Sequence, residues 1–357
     1  VTASAAFGQN ERQKNEREVF NPRPSLLALD FSRDGTLVVT GGDAVRVHDL
    51  ISGEQLNQFA FRATTRTVAF SSQEKRIFAA AGDDGTIRFW RVPEEKPFRV
   101  LETRPVMIRS IAFSPAGTLL ASGGNGEYRD GQFVPDKPAF GEFTLWNAGT
   151  GKIVRTLTFP RFNVGCVAFS RNGKRLALAK NSADRNMASI VEVYEIEPWK
   201  HVRSVAFSPG FALSISFLPD GRQILIAGGD CVPMKREGCM TTGKFWLAGP
   251  DAKEATELVE PTRHGYFRGA GLTAAGDRFV TGTVKANLER RGTSVAVMQM
   301  RDTKTGKPIW SHAGEGYDIY GAKLFPDGKR AACCIGSEIL ILDAETGELV
   351  RTIEAGK

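Results

Sequence analysis

Three aspartates, Asp43, Asp83 and Asp230, each follow a Gly-Gly or Ala-Gly pair at the end of a short apolar run. Carboxylates converging on one mouth would hold a cation or move protons. Aspartate is also favoured in tight turns, where its side chain accepts bonds from nearby amides, and that structural role is the stronger expectation. His48, His201, His264 and His312 are scattered, with no Cys-X-X-Cys, Cys-X-X-Cys-His or His-Glu-X-X-His spacing, so zinc and covalent haem are not expected. The Gly-Lys pairs at 151–152 and 306–307 are followed by Ile153 and Pro308 where a phosphate loop needs Ser or Thr. No catalytic motif and no cofactor is expected from these residues.

Five cysteines make an odd count in a long chain, which is not a disulfide framework. Cys231 and Cys239 alone suit a pair, and a bridge between them would point to an oxidising compartment; two ordinary thiols are the equal alternative. Cys166, Cys333 and Cys334 lie in apolar runs and read as buried small hydrophobes.

The chain of 357 residues has 24% charged residues and a net charge of +7, a globular composition. Its 38 glycines against 17 prolines point to many tight turns. No apolar run approaches the ~18 residues of a membrane-spanning helix. Basic and acidic residues are interspersed without a basic cluster, which disfavours nucleic acid as a partner. Residues 1–20 lack a charged-then-apolar signal pattern, as a cleaved mature chain also would, which leaves the compartment open.

A repeat organises the chain. Strand-then-turn segments recur at 27–35, 67–74, 110–117, 166–173, 214–221, 269–276 and 321–328, with anchors Phe31, Phe70, Phe113, Phe169, Phe217, Leu272 and Leu324 spaced 39 to 56 residues apart. After each anchor come a small apolar strand, a third strand and, in units three, six and seven, a Thr-Gly-Lys or Thr-Gly-Glu turn. Third strands read AVRVHDL, EFTLWNA, IVEVYEI, KFWLA, VAVMQMR and EILILDA, and fourth strands include EQLNQFAF, KIVRTLTF and ELVRTIEA. The segment SVAFSP at 204–209 mimics a unit start, but only about ten residues separate it from the next, so it is expected as the outer strand of unit four.

Seven units of four strands resemble the WD-repeat β-propeller family, over residues 25–357. The diagnostic dipeptide falls at His48-Asp49, Trp90-Arg91, Trp146-Asn147, Tyr194-Glu195, Trp246-Leu247, Met300-Arg301 and Leu342-Asp343, and no copy keeps both letters. The family's Gly-His pair is absent, so its buried His-Ser/Thr-Asp-Trp network is not expected. The resemblance implies an all-β, seven-bladed propeller at 25–357, complete in its last blade, with residues 1–24 as a polar arm.

Units three to six carry insertions between their second and third strands: NGEYRDGQFVPDKPAF, KNSADRNMAS, DCVPMKREGCMTT and VKANLERRGT. In a propeller resembling this family that connection always emerges on one face, so the four form a wall there, and rigidly held loops are where binding residues concentrate. Tyr128, Arg129, Phe133, Arg185, Lys235, Arg236, Arg290 and Arg291 are its expected anchors. The insertions of units four to six carry a net charge of +3, which suits an acidic partner surface. The expected function is a non-catalytic protein-interaction scaffold, alone or as a subunit of a larger complex. The second reading is an extracytoplasmic enzyme or a small-molecule or metal binder using carboxylates at the channel mouth; a propeller subunit of a redox enzyme lies between the two.

Overall fold

A computed structural model describes residues 26–61, 63–103, 107–125, 128–129, 132–133, 140–182, 184, 187–208, 210–233, 239–258, 262–263, 265–286, 294–314 and 319–355. Blade 1 is β1 (Leu26–Phe31), β2 (Leu37–Gly42), β3 (Ala44–Asp49) and β4 (Gln55–Ala60). Blade 2 is β5 (Thr65–Phe70), β6 (Ile77–Gly82), β7 (Thr86–Arg91) and β8 (Arg99–Glu102). Blade 3 comprises β9 (Met107–Phe113), β10 (Leu119–Asn125), the small hairpin β11 (Tyr128–Arg129) and β12 (Gln132–Phe133), then β13 (Phe140–Asn147) and β14 (Ile153–Pro160). Blade 4 is β15 (Phe162–Phe169), β16 (Arg175–Ser182), β17 (Ser189–Glu195) and β18 (Lys200–Phe207). Blade 5 is β19 (Phe211–Phe217), β20 (Ile224–Pro233), β21 (Cys239–Ala248) and a broken outer edge of β22 (Thr256–Glu257) and β23 (Thr262–Arg263). Blade 6 is β24 (Arg268–Leu272), β25 (Arg278–Ala286), β26 (Ser294–Asp302) and β27 (Pro308–Gly314), and blade 7 is β28 (Ile319–Leu324), β29 (Arg330–Ile335), β30 (Glu338–Asp343) and β31 (Leu349–Glu354).

Each blade is an antiparallel meander whose strands follow chain order from the channel outward. The expected strands fall in these places, SVAFSP included, as the outer strand β18. Blade 7 is complete within itself, as expected.

The ring follows from strand geometry. Successive side chains of a strand point to opposite faces, and β6, IFAAAG, is buried throughout. Phe78 and Ala80 pack toward blade 1 with Phe59 and Trp90, where Phe78 and Trp90 stack 5.4 Å apart. Ala79 and Ala81 pack toward blade 3 with Ile87, Phe89 and Ile108. A sheet apolar on both faces needs a neighbour on each side, and a closed circle supplies one to every blade.

Side chains on outer strands lock consecutive blades by reaching the turn between the third and fourth strands of the next. Asn57 Nδ2 donates to Pro93 O at 3.1 Å, Arg99 to Ala148 O and Gly149 O, and Arg203 to Gly249 O. The Arg155 guanidinium lies 5.0 Å from the Trp199 ring, and Trp310 Nε1 donates to Ala344 O at 3.0 Å. Arg351 closes the circle onto Leu50 O, Ile51 O and Ser52 O at 3.3, 2.8 and 2.5 Å.

The WD-type network, not expected at all, survives as a fragment in blade 3. Trp146 Nε1 donates to Ser122 Oγ at 2.9 Å, and that hydroxyl donates to Thr144 O at 3.3 Å. The corresponding second-strand residues are Ala80 in blade 2 and Gly228 in blade 5, and the buried Trp90 Nε1 and Trp246 Nε1 have no acceptor among the described residues.

Candidate functional site

Every inner strand carries a β-bulge against its second strand, at Leu27, Arg66, Arg109, Gly165 and Leu213, between Arg268 and Gly271, and between Tyr320 and Lys323. A bulge leaves one residue out of the ladder and re-aims it. These residues line a central channel of about 810 Å³, within the range of ligand sites. At Gly269, φ is +83° and an added Cβ would sit 2.5 Å from Ala322 O, so the channel wall of blade 6 requires glycine there.

The lining holds four cations, Arg66, Arg109, Arg268 and Lys323, and no Asp or Glu among the described residues. The antiparallel order starts each inner strand at the face where the second-to-third-strand connections emerge. Arg66, Arg109 and Arg268 therefore sit near that insertion face, and Lys323 toward the opposite, turn face. Blades 5 to 7 line the insertion-face mouth with aromatic rings: Phe211 and Tyr266 meet edge to face at 4.8 Å, and the Arg268 guanidinium lies 3.8 Å from the Tyr320 ring. Burial raises the Tyr266 phenol above its usual range.

Asp43 and Asp83 stand just past the ends of β2 and β6 and are held by arginines, whereas Asp230 does not end its strand, because β20 runs on to Pro233. Asp43 receives two bonds from Arg46, at 2.8 and 3.0 Å, and these hold its carboxyl below the usual range. Asp83 receives two from Arg66, through Nε and through Nη2 at 2.8 Å. Asp230 pairs with Thr242 in the ladder and has an interaction of its own. No cluster of three metal-binding side chains occurs among the described residues.

Of the expected binding residues, Tyr128, Arg129 and Phe133 belong to the β11–β12 hairpin, where Tyr128 pairs with Phe133 and Arg129 with Gln132. Arg185, Lys235, Arg236, Arg290 and Arg291 lie outside the described residues, as do residues 1–24. Cys231 is laddered opposite Thr241, and Cys239 opposite Pro233. Cys166, Cys333 and Cys334 are buried, unpaired thiols as expected, and burial pushes Cys333 up to about 12. The stems beneath two insertions are long. The strands β20 and β21 have 10 residues each, and β25 and β26 have 9, against 6 for β2, β6 and β29. At about 3.3 Å per residue these hairpins stand roughly 10–13 Å taller.

The basic channel was not anticipated from the sequence. Its available signal was that Arg66, Arg109 and Arg268 fall at matching positions, four residues before the anchors Phe70, Phe113 and Leu272.

The family model for the WD domain, G-beta repeat, matches residues 58–91, from within β4 to the end of β7, and residues 96–132, which take in β8 to β11. The chain is a seven-bladed β-propeller with WD repeats at those residues. This propeller is 30% identical over 95 residues to DDB1- and CUL4-associated factor 5 of Homo sapiens and of Mus musculus, matching 25% of this chain and 10% of that protein. It is 26% identical over 210 residues to WD repeat-containing protein VIP3 of Arabidopsis thaliana, matching 52% of this chain and 57% of the relative. The propeller thus spans from a tenth to just over half of these relatives. Among solved structures, Kuenenia stuttgartiensis hydrazine synthase superposes with a TM-score of 0.74, covering 92% of this chain and 98% of that one at 12% identity, a likeness of fold alone.

Proposed function

We propose that this propeller is a non-catalytic protein-interaction scaffold, free-standing or as one subunit of a complex, and that its partner docks on the insertion face against the loops of blades 3 to 6. The observation that carries the reading is the run of four long connections on consecutive blades, all leaving the same face, two of them on tall stems. The relatives agree in kind, since one is named as a factor associated with DDB1 and CUL4. The net charge of the insertions of blades 4 to 6 favours an acidic partner surface. Against an enzyme using mouth carboxylates stands the pairing of Asp43 and Asp83 with arginines, which occupies two of the three groups such chemistry would need.

The test is a native pull-down with the full chain beside a variant whose four insertions are trimmed to two-residue turns, folding of both being checked by circular dichroism. A stoichiometric partner lost on trimming supports the reading. The triple change R236E/R290E/R291E should weaken capture at least tenfold, and undiminished capture would sink the assignment to this face.

A further inference from the structure

On the turn face, away from the insertions, the edge between blades 4 and 5 departs from the rest of the ring. Blades 1, 3, 6 and 7 join third to fourth strand by a tight turn with glycine at positive φ, namely Gly53, Gly151, Gly306 and Gly347. In blades 1, 6 and 7 an aspartate caps it, as Asp49 does by accepting from the amides of Ile51 and Ser52 at 2.8 Å each. Blade 5 instead reads Gly249-Pro-Asp-Ala-Lys-Glu-Ala255. This loop crosses to blade 4: Ala206 N donates to Lys253 O and Ala255 N to Ala206 O, both at 2.8 Å, making a parallel bridge between Ala206 and Glu254.

The crossing frames a cleft of about 480 Å³ lined by Arg175, Val202, Arg203, Ser204, Arg222 and residues 250–253. Four cations face it, Arg175, Arg203, Arg222 and Lys253, against one carboxylate, Asp251. That carboxylate meets Arg222 Nη2 at 3.3 Å with 88% of its side chain exposed, so water screens the pair. Glu195 stands 3.7 Å from Arg175 Nη2 but does not line the cleft. Asp220 is occupied by the amides of Arg222 and Gln223 and by Gln223 Nε2.

Two of the cations, Arg203 and Arg175, are held by backbone carbonyls around them. Arg203 donates to Gly249 O, to Ala252 O at 3.4 Å and to Arg222 O at 2.5 Å. Arg175 Nη1 donates to Gly221 O at 3.2 Å. Carbonyl acceptors orient a guanidinium without cancelling its charge, so the cleft keeps a net positive charge at fixed positions. Burial first, and then the charges of Arg175 and Arg222, lower the basicity of Arg203, while Asp251 and Asp220 act against them.

We propose that this cleft is a binding site for a phosphoryl group, either inorganic phosphate or a phosphate monoester borne by a protein partner. A compact dianion with several acceptor oxygens answers both the convergence of charge and the fork geometry of the arginines. Arg203 and Arg175 form the floor, and Arg222 and Lys253 reach over the anion from the rim. The site is independent of the insertion face, so either proposal stands if the other fails.

The test is calorimetric titration of the full chain with three probes: inorganic phosphate, a phosphoserine peptide, and the same peptide unphosphorylated. The comparison variant is R222Q/K253Q, which leaves the Arg203 clamp in place, and the charge-matched control is K304Q/K307Q on the blade 6 turn. Saturable binding of a phosphorylated probe at about millimolar affinity or tighter, weakened at least tenfold in the cleft variant and within twofold in the control, supports the site. A phosphopeptide that binds more tightly than phosphate, with its unphosphorylated form silent, assigns the source to a protein partner. Phosphate binding as tightly as the phosphopeptide assigns it to the free ion. Failure of both phosphorylated probes to saturate, equal loss in the cleft variant and the control, or equal binding of both peptides overturns it.

Discussion

Lys323 Nζ donates to Asp30 Oδ1 at 2.8 Å, joining the last blade to the first, and the other oxygen of that carboxylate accepts from Phe70 N at 2.7 Å in the second. One side chain thus ties three blades. Beside it Phe31 and Phe325 stack at 4.1 Å. Among the described residues the chain does not run across this seam, since blades 1 and 7 are each built from continuous sequence there, and side chains and a few amides close the ring. Asp30→Ala removes both acceptors and leaves Phe70 N without its partner. It should cost about 2–3 kcal/mol, read as a lowered denaturation midpoint with unchanged slope.

Glu192 is pressed between Lys180 and Tyr194, bonding both, and the side chains of Lys180 and Glu192 are only 9% and 13% exposed. The pairing with Glu192 helps raise the Tyr194 phenol above its usual range, after burial. Removing one member of a buried pair strands the other, so Glu192→Gln should destabilise by about 3 kcal/mol. Glu192→Gln with Lys180→Met should recover most of that loss, measured by urea unfolding of the two variants side by side.

His48 stands where a WD repeat places its tryptophan, 1% exposed, with no hydrogen-bond partner at either ring nitrogen among the described residues. Burial, with the neighbouring Arg46 charge, lowers its pKa from 6.5 to about 4. The unfolded chain therefore binds the proton more readily than the fold does. The stability from keeping this ring neutral is fully present above pH 6.5, falls through the window from about 6.5 to about 4, and is gone below it. Melting temperatures recorded from pH 7.5 to 4 should drop across that window, and His48→Phe should flatten the drop. A variant with the same acid sensitivity would remove His48 as its source.

The unsatisfied Trp90 indole offers a repair. Blade 3 shows what is missing, a serine hydroxyl that accepts from the indole and donates onward to a strand carbonyl. Ala80→Ser places that hydroxyl at the matching position and should raise stability by about 1 kcal/mol. Thermal unfolding decides it, with Ser122→Ala expected to shift the other way by a similar amount.

The repeat was legible because it is written in strand period and turn chemistry, which survive the loss of the family's signature dipeptide. Phe31 to Leu324 mark inner strands and the Thr-Gly turns mark the step to outer ones, so blade count and strand order followed. The basic channel was hidden because a bulge shifts the alternation by one, and Arg66 and Arg109 read as ordinary polar residues in an alternating strand. The fate of the aspartates was half legible. Arg46 lies three residues after Asp43, whereas Arg66 reaches Asp83 across a ladder from 17 residues away. The crossing loop of blade 5 left no pattern, since its bonds to Ala206 are backbone bonds that no side chain announces.

The alternation in β6 has a consequence for how such a molecule tolerates change in length. Phe78 and Ala79 are adjacent in sequence yet serve different neighbours, so deleting one residue within a second strand would hand each neighbour the other's contacts. It would act on packing as a frameshift acts on a reading frame. Residues added in a loop between strands shift nothing in the disc. Variation in length is therefore tolerated at the two rims, where the connections between second and third strands and the crossing loop of blade 5 lie.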